Sequence, residues 1–117
     1  MTLRDAGCLA NLLVDLHRFE EAKSLLRKTI PVAQRVLGKI DEHTIRMTCQ
    51  YGQALYCNKL ATLDDLRESV ATLEDLERIT RRVLGGAHPM ATMTEVTLQN
   101  ARKVLRAHET PSPPGSA

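Results

Sequence analysis

The sequence Arg-Val-Leu-Gly at residues 35–38 returns at residues 82–85. In both places it closes a segment with helical spacing of apolar residues, and glycine is the residue most often found just after a helix C-terminus. Each copy is followed by a short link and then by another helical pattern. A recurrence at this distance indicates a helical repeat. The chain is therefore predicted to be organised as successive helix pairs.

The composition agrees with one small helical domain. The chain has 117 residues, with 3% aromatic residues and no tryptophan, so aliphatic residues and alanine must form the core. The formal net charge of +2 gives no reason to expect nucleic acid or an anionic membrane as a partner. No apolar run reaches the roughly 20 residues of a membrane span. Three cysteines without a CxxC spacing predict packed free thiols, and hence a reducing, cytoplasmic location.

Five helices are predicted from apolar spacing, capping residues and charge order. Capping boxes are expected at residues 2–5 and 62–65, where a threonine precedes an aspartate by three positions. Pro31 is expected to kink or break the second helix, because proline removes one backbone hydrogen bond. The predicted helices run from about Leu3 to Leu16, from Phe19 to Leu37, from His43 to Asn58, from Leu63 to Leu84 and from Met90 to His108.

Apolar stripes on these helices are expected to form the core. In the first helix the stripe is Leu9, Leu12, Leu13 and Leu16. The second helix contributes Phe19, Ala22, Leu25, Leu26, Ile30, Ala33, Val36 and Leu37, and the fourth contributes Leu63, Leu66, Val70, Leu73, Leu76, Ile79 and Val83.

Constant offsets connect the helices. A shift of 42 places Leu9 on Tyr51, and a shift of 47 places Gly38 on Gly85. The difference predicts about five additional residues in the second repeat, near residues 62–66. The predicted domain covers residues 1–109, with repeats at about 2–38 and 43–85 and a half repeat at 88–108. Residues 110–117, rich in proline and serine, are predicted to be a disordered tail.

The segment from Leu9 to Gly38 resembles a tetratricopeptide repeat of the type found in kinesin light chains. The residues that carry the likeness are Leu9-Ala10, Phe19-Glu20-Glu21-Ala22, Leu37-Gly38 and Leu84–Pro89, the last being similar to that family's linker before the next helix. The resemblance implies an all-α fold, a right-handed α-α superhelix of five helices and two and a half repeats.

The resemblance also implies a concave groove, lined by the first helix of each pair, that binds a protein or peptide. The inward positions that it implies are Arg4, Asn11, Asp15, Arg46, Gln53, Tyr56, Asn100 and Lys103. Asparagine and glutamine can donate and accept at once, which suits an extended peptide backbone. The alternative for each residue is a merely exposed polar side chain.

Chemistry of other kinds has little support in the sequence. The four histidines lack the spacing of a helical metal site, and no triad or phosphate-binding loop is present, so no enzyme, cofactor or metal is expected. The basic residues 78–82 and 102–106 lack interleaved aromatic residues, so nucleic acid is not expected. The alternative to a scaffold is a self-associating helical module, or a fragment of a longer array, that pairs through exposed array ends.

Overall fold

The computed structural model describes residues 2–109, and within that range the protein is all-α, without strands. The predicted number of helices is confirmed, and their ends differ from the predicted ends by only a few residues. The helices are α1 (Leu3–Asp15), α2 (Phe19–Val36), α3 (Glu42–Tyr56), α4 (Leu63–Leu84) and α5 (Pro89–Glu109).

The five helices form a helical repeat in which α3 is the central element. Helix α3 packs against all four other helices, α1 packs against α2 and α3, and α5 packs against α3 and α4. The result is elongated, with principal extents of 52 × 32 × 19 Å. Because every helix contacts only its near neighbours in sequence, the fold is a short stack of α-hairpins, as in other helical repeat proteins.

Small residues allow the two helices of each pair to approach closely. Ala10 in α1 and Gly52 in α3, which are 42 residues apart, are both buried at the crossing with the following helix. Gly52 lies against Leu73 of α4. In α5 the corresponding position, 47 residues after Gly52, holds Gln99, which is exposed. The third repeat therefore has a longer first helix, of 21 residues against 13 in α1 and 15 in α3, and replaces the small contact residue by a polar one.

The two linkers between pairs have the same backbone design despite different residues. Gly38 and Gly85 both have positive φ angles, of 93° and 89°. Asp41 accepts a hydrogen bond from the His43 amide at 2.9 Å, and His88 Nδ1 accepts one from the Met90 amide at 3.1 Å. Asp41 lies 47 residues before His88. An aspartate thus caps α3 in the way that the histidine caps α5.

Several residues of the predicted stripes are not in the core. Leu9 and Leu12 of α1 and its C-cap Leu16 are exposed, as are Val36 and Leu37 at the end of α2 and Val83 near the end of α4. The prediction was wrong for these residues. Of the predicted α1 stripe only Leu13 is buried, because α1 packs through a set that includes two alanines. That set is Ala6, Ala10 and Leu13.

The predicted break at Pro31 does not occur. Helix α2 continues from Phe19 to Val36 with Pro31 inside it. The proline is exposed, while Leu26 and Ala33 on either side of it are fully buried. Tertiary packing of the apolar face therefore offsets the one backbone hydrogen bond that proline removes.

The additional residues of the second repeat lie in two places, the α3–α4 connection and the first turn of α4, which overlap the predicted range of 62–66. The α1–α2 connection covers residues 16–18, whereas the α3–α4 connection covers residues 57–62. A shift of 47 places the start of α2, Phe19, on Leu66. Helix α4 begins at Leu63, about one turn before that position. Thr62 accounts for this early start, because it accepts a hydrogen bond from the Asp65 amide in the predicted capping box.

Two predictions concern other parts of the chain. Residues 110–117, predicted as a disordered tail, lie outside the described residues. Among residues 2–109, no helix has both the length and the apolar character needed to cross a bilayer.

A candidate peptide-binding cleft between α1 and α3

A cleft of about 340 Å³ lies between α1 and α3, the first helices of the two complete pairs. Its floor is formed by Leu3, Gly7 and Met47, and its rim is polar. Gly7 keeps the floor open, because no side chain projects there between the helices. The polar side chains of the cleft are Arg4, Cys8, Asn11, Glu42, His43, Arg46 and Gln50.

Three of the eight residues implied by the resemblance meet in this cleft. They are Arg4 and Asn11 from α1 and Arg46 from α3. Arg46 Nε lies 3.4 Å from Glu42 Oε2, in a pair whose two side chains are more than half exposed. An ion pair this exposed contributes little stability. The Arg46 guanidinium can therefore exchange Glu42 for an acidic group of a ligand at small cost.

Gln50 was not among the predicted residues, although it lines the same cleft. Its Oε1 atom is buried and accepts no hydrogen bond from any described residue. A buried acceptor without a donor costs free energy, and a ligand N–H would supply that donor. Helical spacing was the available signal, because Arg46, Gln50 and Gln53 follow at intervals of four and three.

The other predicted residues lie outside this cleft. Tyr56 of α3 is partly buried and hydrogen-bonded to Asn100 of α5. Burial raises the pKa of the Tyr56 phenol, and the hydrogen bond with Asn100 opposes that rise. Gln53 is partly buried about one turn before Tyr56, while Asp15 and Lys103 are exposed. Of the predicted set, three residues thus share the cleft between α1 and α3, two form a polar contact between α3 and α5, and Asp15, Gln53 and Lys103 belong to neither group.

A second polar cluster joins three helices. Tyr51 of α3 donates its hydroxyl hydrogen to Glu68 of α4 and accepts a hydrogen bond of 2.9 Å from Arg27 of α2. Arg27 also lies 3.6 Å from Glu68 and stacks over the Tyr51 ring. Burial, followed by the hydrogen bond to Glu68, raises the pKa of Tyr51. Since every member is satisfied by another, the cluster serves packing rather than binding.

The three cysteines differ in burial, although packed thiols were predicted for all of them. Cys49 is buried, with its Sγ 3.7 Å from Thr94 Oγ1, and burial raises its pKa. Cys8 and Cys57 are free and exposed, so the prediction of packed thiols was wrong for these two. Cys8 matches Gln50 rather than Cys49 in the repeat register, so its side chain points into the cleft. No group of three residues suited to a metal ion occurs among residues 2–109.

Comparison with known proteins gives one result. Residues 6–44 match the family model of the tetratricopeptide repeat. Over these residues the chain is similar to a tetratricopeptide repeat. The match covers most of α1, all of α2 and the first residues of α3. The second pair, α3 and α4, lies almost entirely outside this match and repeats the register of the first pair. Neither the comparison with curated proteins nor the comparison with solved structures gave a match.

Tetratricopeptide repeats are in general modules for protein–protein interaction. In such arrays the first helices of successive pairs line one surface, as α1 and α3 do here. The cleft with Arg4, Asn11, Arg46 and Gln50 is therefore the surface to consider for a protein partner.

Proposed function

We propose that this protein is a non-catalytic scaffold that holds an extended peptide segment in the cleft between α1 and α3. The observation that carries the proposal is the buried, unpartnered Oε1 atom of Gln50 at the wall of the cleft. A peptide backbone N–H satisfies this atom, and the Asn11 amide can pair with a peptide N–H or C=O. The repeat match supports an interaction module of this general class.

The charges of the cleft favour an acidic side chain next to the anchored backbone. Arg4 and Arg46 both line the cleft, against a single carboxylate, that of Glu42. Because Glu42 is paired with Arg46 only at the exposed rim, a ligand carboxylate can replace it. Arg4 and Arg46 can each form a two-pronged contact with a carboxylate. A volume of about 340 Å³ accommodates a short segment rather than a folded domain.

We propose further that the repeat is of the kinesin light chain type and that the protein acts in the cytoplasm. The support for the first point is the linker at residues 84–89, in which Gly85 has a positive φ angle and His88 caps α5. The support for the second is the presence of three free cysteines, which suit a reducing compartment.

The test begins with peptides selected from a phage-displayed random library on the full 117-residue chain. Their binding is then measured by fluorescence anisotropy to the wild type and to Gln50→Met, which has similar volume and no hydrogen-bonding oxygen. The variant is expected to bind about fivefold more weakly, since one hydrogen bond is worth about 1 kcal/mol. It should fold with equal or greater stability, because the unpartnered acceptor is gone.

Two further variants locate the site. Arg46→Ala should weaken binding of acidic peptides by about tenfold. Arg78→Ala, an arginine of similar exposure on α4, should leave binding unchanged. The proposal fails if selected peptides bind Gln50→Met and Arg46→Ala as tightly as the wild type. It also fails if the library yields no binder.

A further inference from the structure

Helices α4 and α5 bound a second cleft, of about 540 Å³, on the side of the stack away from α1. Charged side chains surround Leu98 in this cleft. We refer to it as the charged cleft, and its charged residues are Glu74, Glu77, Arg78, Arg81, Arg82 and Arg102. None of them lines the cleft between α1 and α3. The charged cleft is therefore a surface separate from the proposed peptide site.

The repeat register indicates what kind of element fits the charged cleft. A cleft of about 200 Å³ lies between α2 and α3, and Pro31 and Gln34 are among its lining residues. A shift of 47 places these two residues on Arg78 and Arg81 of the charged cleft. Helix α4 lies beside the smaller cleft and contributes Thr72 to its lining. A helix placed as α4 is placed there is therefore the element that fits the charged cleft.

Helix α4 also shows which chemistry such a helix directs toward the preceding pair. Glu68, Thr72 and Asp75 follow at intervals of four and three residues, so they lie on one face of α4. Glu68 lies 3.6 Å from Arg27 of α2, and Asp75 lines a small cleft together with Lys39 of the linker. The face of α4 that meets α2 and its linker thus carries two carboxylates opposite basic residues.

The charged cleft contains more positive charge than its own carboxylates can neutralise. Glu74 lies 2.9 Å from Arg102, and Glu77 lies 3.2 Å from Arg81. Four arginines stand against these two glutamates. Arg82 is exposed and makes no hydrogen bond or ion pair with another residue of the range 2–109. The charged cleft therefore offers arginine for carboxylates from outside the chain.

The surface beside the charged cleft favours a reversible partner over a permanently packed helix. Where α4 packs on α3, Gly52 leaves space for the buried side chain of Leu73. The corresponding residue of α5 is Gln99, which is exposed. The position of Leu55, which is 1% exposed in α3, is held in α5 by Arg102. Permanent interfaces are more apolar than this, whereas interfaces that form and separate are more polar.

We propose that the charged cleft binds an acidic helix of a partner protein, which presents carboxylates from one face to Arg78, Arg81 and Arg82. These arginines follow at helical spacing on α4, so carboxylates three or four residues apart on the partner helix match them. Arginine forms two-pronged contacts with a carboxylate. A second copy of this chain fits less well, because its formal net charge is +2.

Selection from a helical peptide library on the full 117-residue chain tests the proposal. The library varies one face of an alanine-rich helix among acidic, basic, leucine and glutamine side chains. Fluorescence anisotropy then identifies binders that Arg46→Ala leaves unaffected, which excludes binders of the cleft between α1 and α3. The remaining binders are expected to be enriched in acidic residues at helical spacing.

Arg82→Glu should weaken these binders by at least about tenfold, because it replaces an arginine of the charged cleft by a carboxylate. Arg35→Glu is the matched control, since Arg35 lies 47 residues earlier, is exposed and does not line the charged cleft. Both changes place a carboxylate in the last turn of a helix, so their effects on stability are matched. Arg35→Glu should leave binding unchanged. A binder with one glutamate changed to lysine should regain affinity for Arg82→Glu.

Several outcomes overturn the proposal. They are a library without acidic binders, equal losses for Arg35→Glu and Arg82→Glu, and unchanged affinity when a proline interrupts the peptide helix. Single-stranded DNA that binds as tightly as the selected helices, and is released by Arg82→Glu, also overturns it. Self-association of the wild type that Arg82→Glu abolishes, measured by sedimentation equilibrium, identifies a second copy as the occupant instead. None of these outcomes affects the proposed function, which Gln50→Met tests in the other cleft.

Discussion

Gly52 of α3 and Leu73 of α4 approach so closely that a Cβ atom on Gly52 would lie 2.8 Å from Leu73 Cδ1 and 3.0 Å from Leu73 Cγ. Leu73 is fully buried, so its side chain has no free space into which to move. The absence of a side chain at Gly52 is therefore what fixes the distance between these two helices. Gly7 is also helical, but the nearest atom to its Cβ position is Met47 Cγ at 3.7 Å, an ordinary contact.

The first prediction uses these two glycines as a pair. Gly52→Ala should lower the free energy of unfolding by about 1–3 kcal/mol, because overpacking outweighs the better helix propensity of alanine. Gly7→Ala should raise it by about 0.5–1 kcal/mol, since only the propensity changes. Urea denaturation followed by circular dichroism measures both. A stabilising effect of Gly52→Ala would show that Leu73 can yield and that the close approach is not required.

The second prediction concerns the cluster of Arg27, Tyr51 and Glu68. Tyr51→Phe keeps the ring but removes the hydroxyl that joins Arg27 to Glu68, so stability at neutral pH should fall by about 1 kcal/mol. The pKa of Tyr51 is raised above its usual value of 10.0, mainly by burial and then by the hydrogen bond to Glu68. Its neutral form is thus favoured by folding.

The raised pKa of Tyr51 determines how the stability of the protein changes with pH. A raised pKa in the folded state means that the stabilisation is complete below the unfolded pKa and is lost as the pH rises through the folded one. The wild type should therefore lose stability more steeply than Tyr51→Phe above about pH 10. Urea unfolding at a series of alkaline pH values measures this difference. Parallel curves for the two proteins would contradict the assignment.

The helices could be predicted from sequence because their signals are local. Thr62 and Asp65 form a capping box by type and spacing alone, and Gly85 marks a helix end by its backbone requirement. The register of the two pairs follows in the same way from the recurrence of Arg-Val-Leu-Gly. The absence of a break at Pro31 has a tertiary cause, because buried Leu26 and Ala33 hold α2 together on both sides of it.

The candidate site could be predicted only in part. Arg4 and Arg46 occupy the same position of successive first helices, and Asn11 lies two turns after Arg4, so the resemblance was sufficient to bring the three together. Gln50 could not be identified in this way. It matters because its Oε1 atom is buried without a donor, and that depends on how the helices pack. The exposure of Leu9, Leu12 and Leu16 was missed for a similar reason. An apolar stripe predicts burial, but it does not state which helix provides it.

The third prediction concerns the start of α4. Thr62→Ala should lower the free energy of unfolding by about 1 kcal/mol, because the Asp65 amide loses its acceptor. Hydrogen bonds at this cap lower the pKa of Asp65 from 3.8, the backbone amide of Thr62 contributing most. Asp65 therefore stabilises the protein above its usual pKa, and this contribution is lost as the pH falls through the folded-state pKa.

A comparison of Asp65 with Asp64, in the same helical turn, distinguishes the contribution of the capping hydrogen bonds to stability from that of the helix dipole. Asp65→Ala should cost about 0.5–1 kcal/mol at pH 7 and nothing at a pH below the folded-state pKa. Asp64→Ala, which changes the same first turn but does not hydrogen-bond to Thr62 in the described structure, should cost less. Thermal unfolding over pH 2–7 measures both. Equal losses for the two variants would mean that only the dipole matters.

The fourth prediction concerns His17, at the tight turn between α1 and α2. His17 has φ of 60°, a left-handed conformation that costs about 1–2 kcal/mol for a residue with a side chain. Its ring lies 5.5 Å from the Phe19 ring, which returns part of that cost. His17→Gly should therefore raise the free energy of unfolding by about 0.5–1 kcal/mol, and His17→Ala, which keeps the strain and loses the ring contact, should lower it by a similar amount. Urea denaturation at pH 7 distinguishes the two, and a glycine variant no more stable than the alanine variant would show that the turn backbone is not strained.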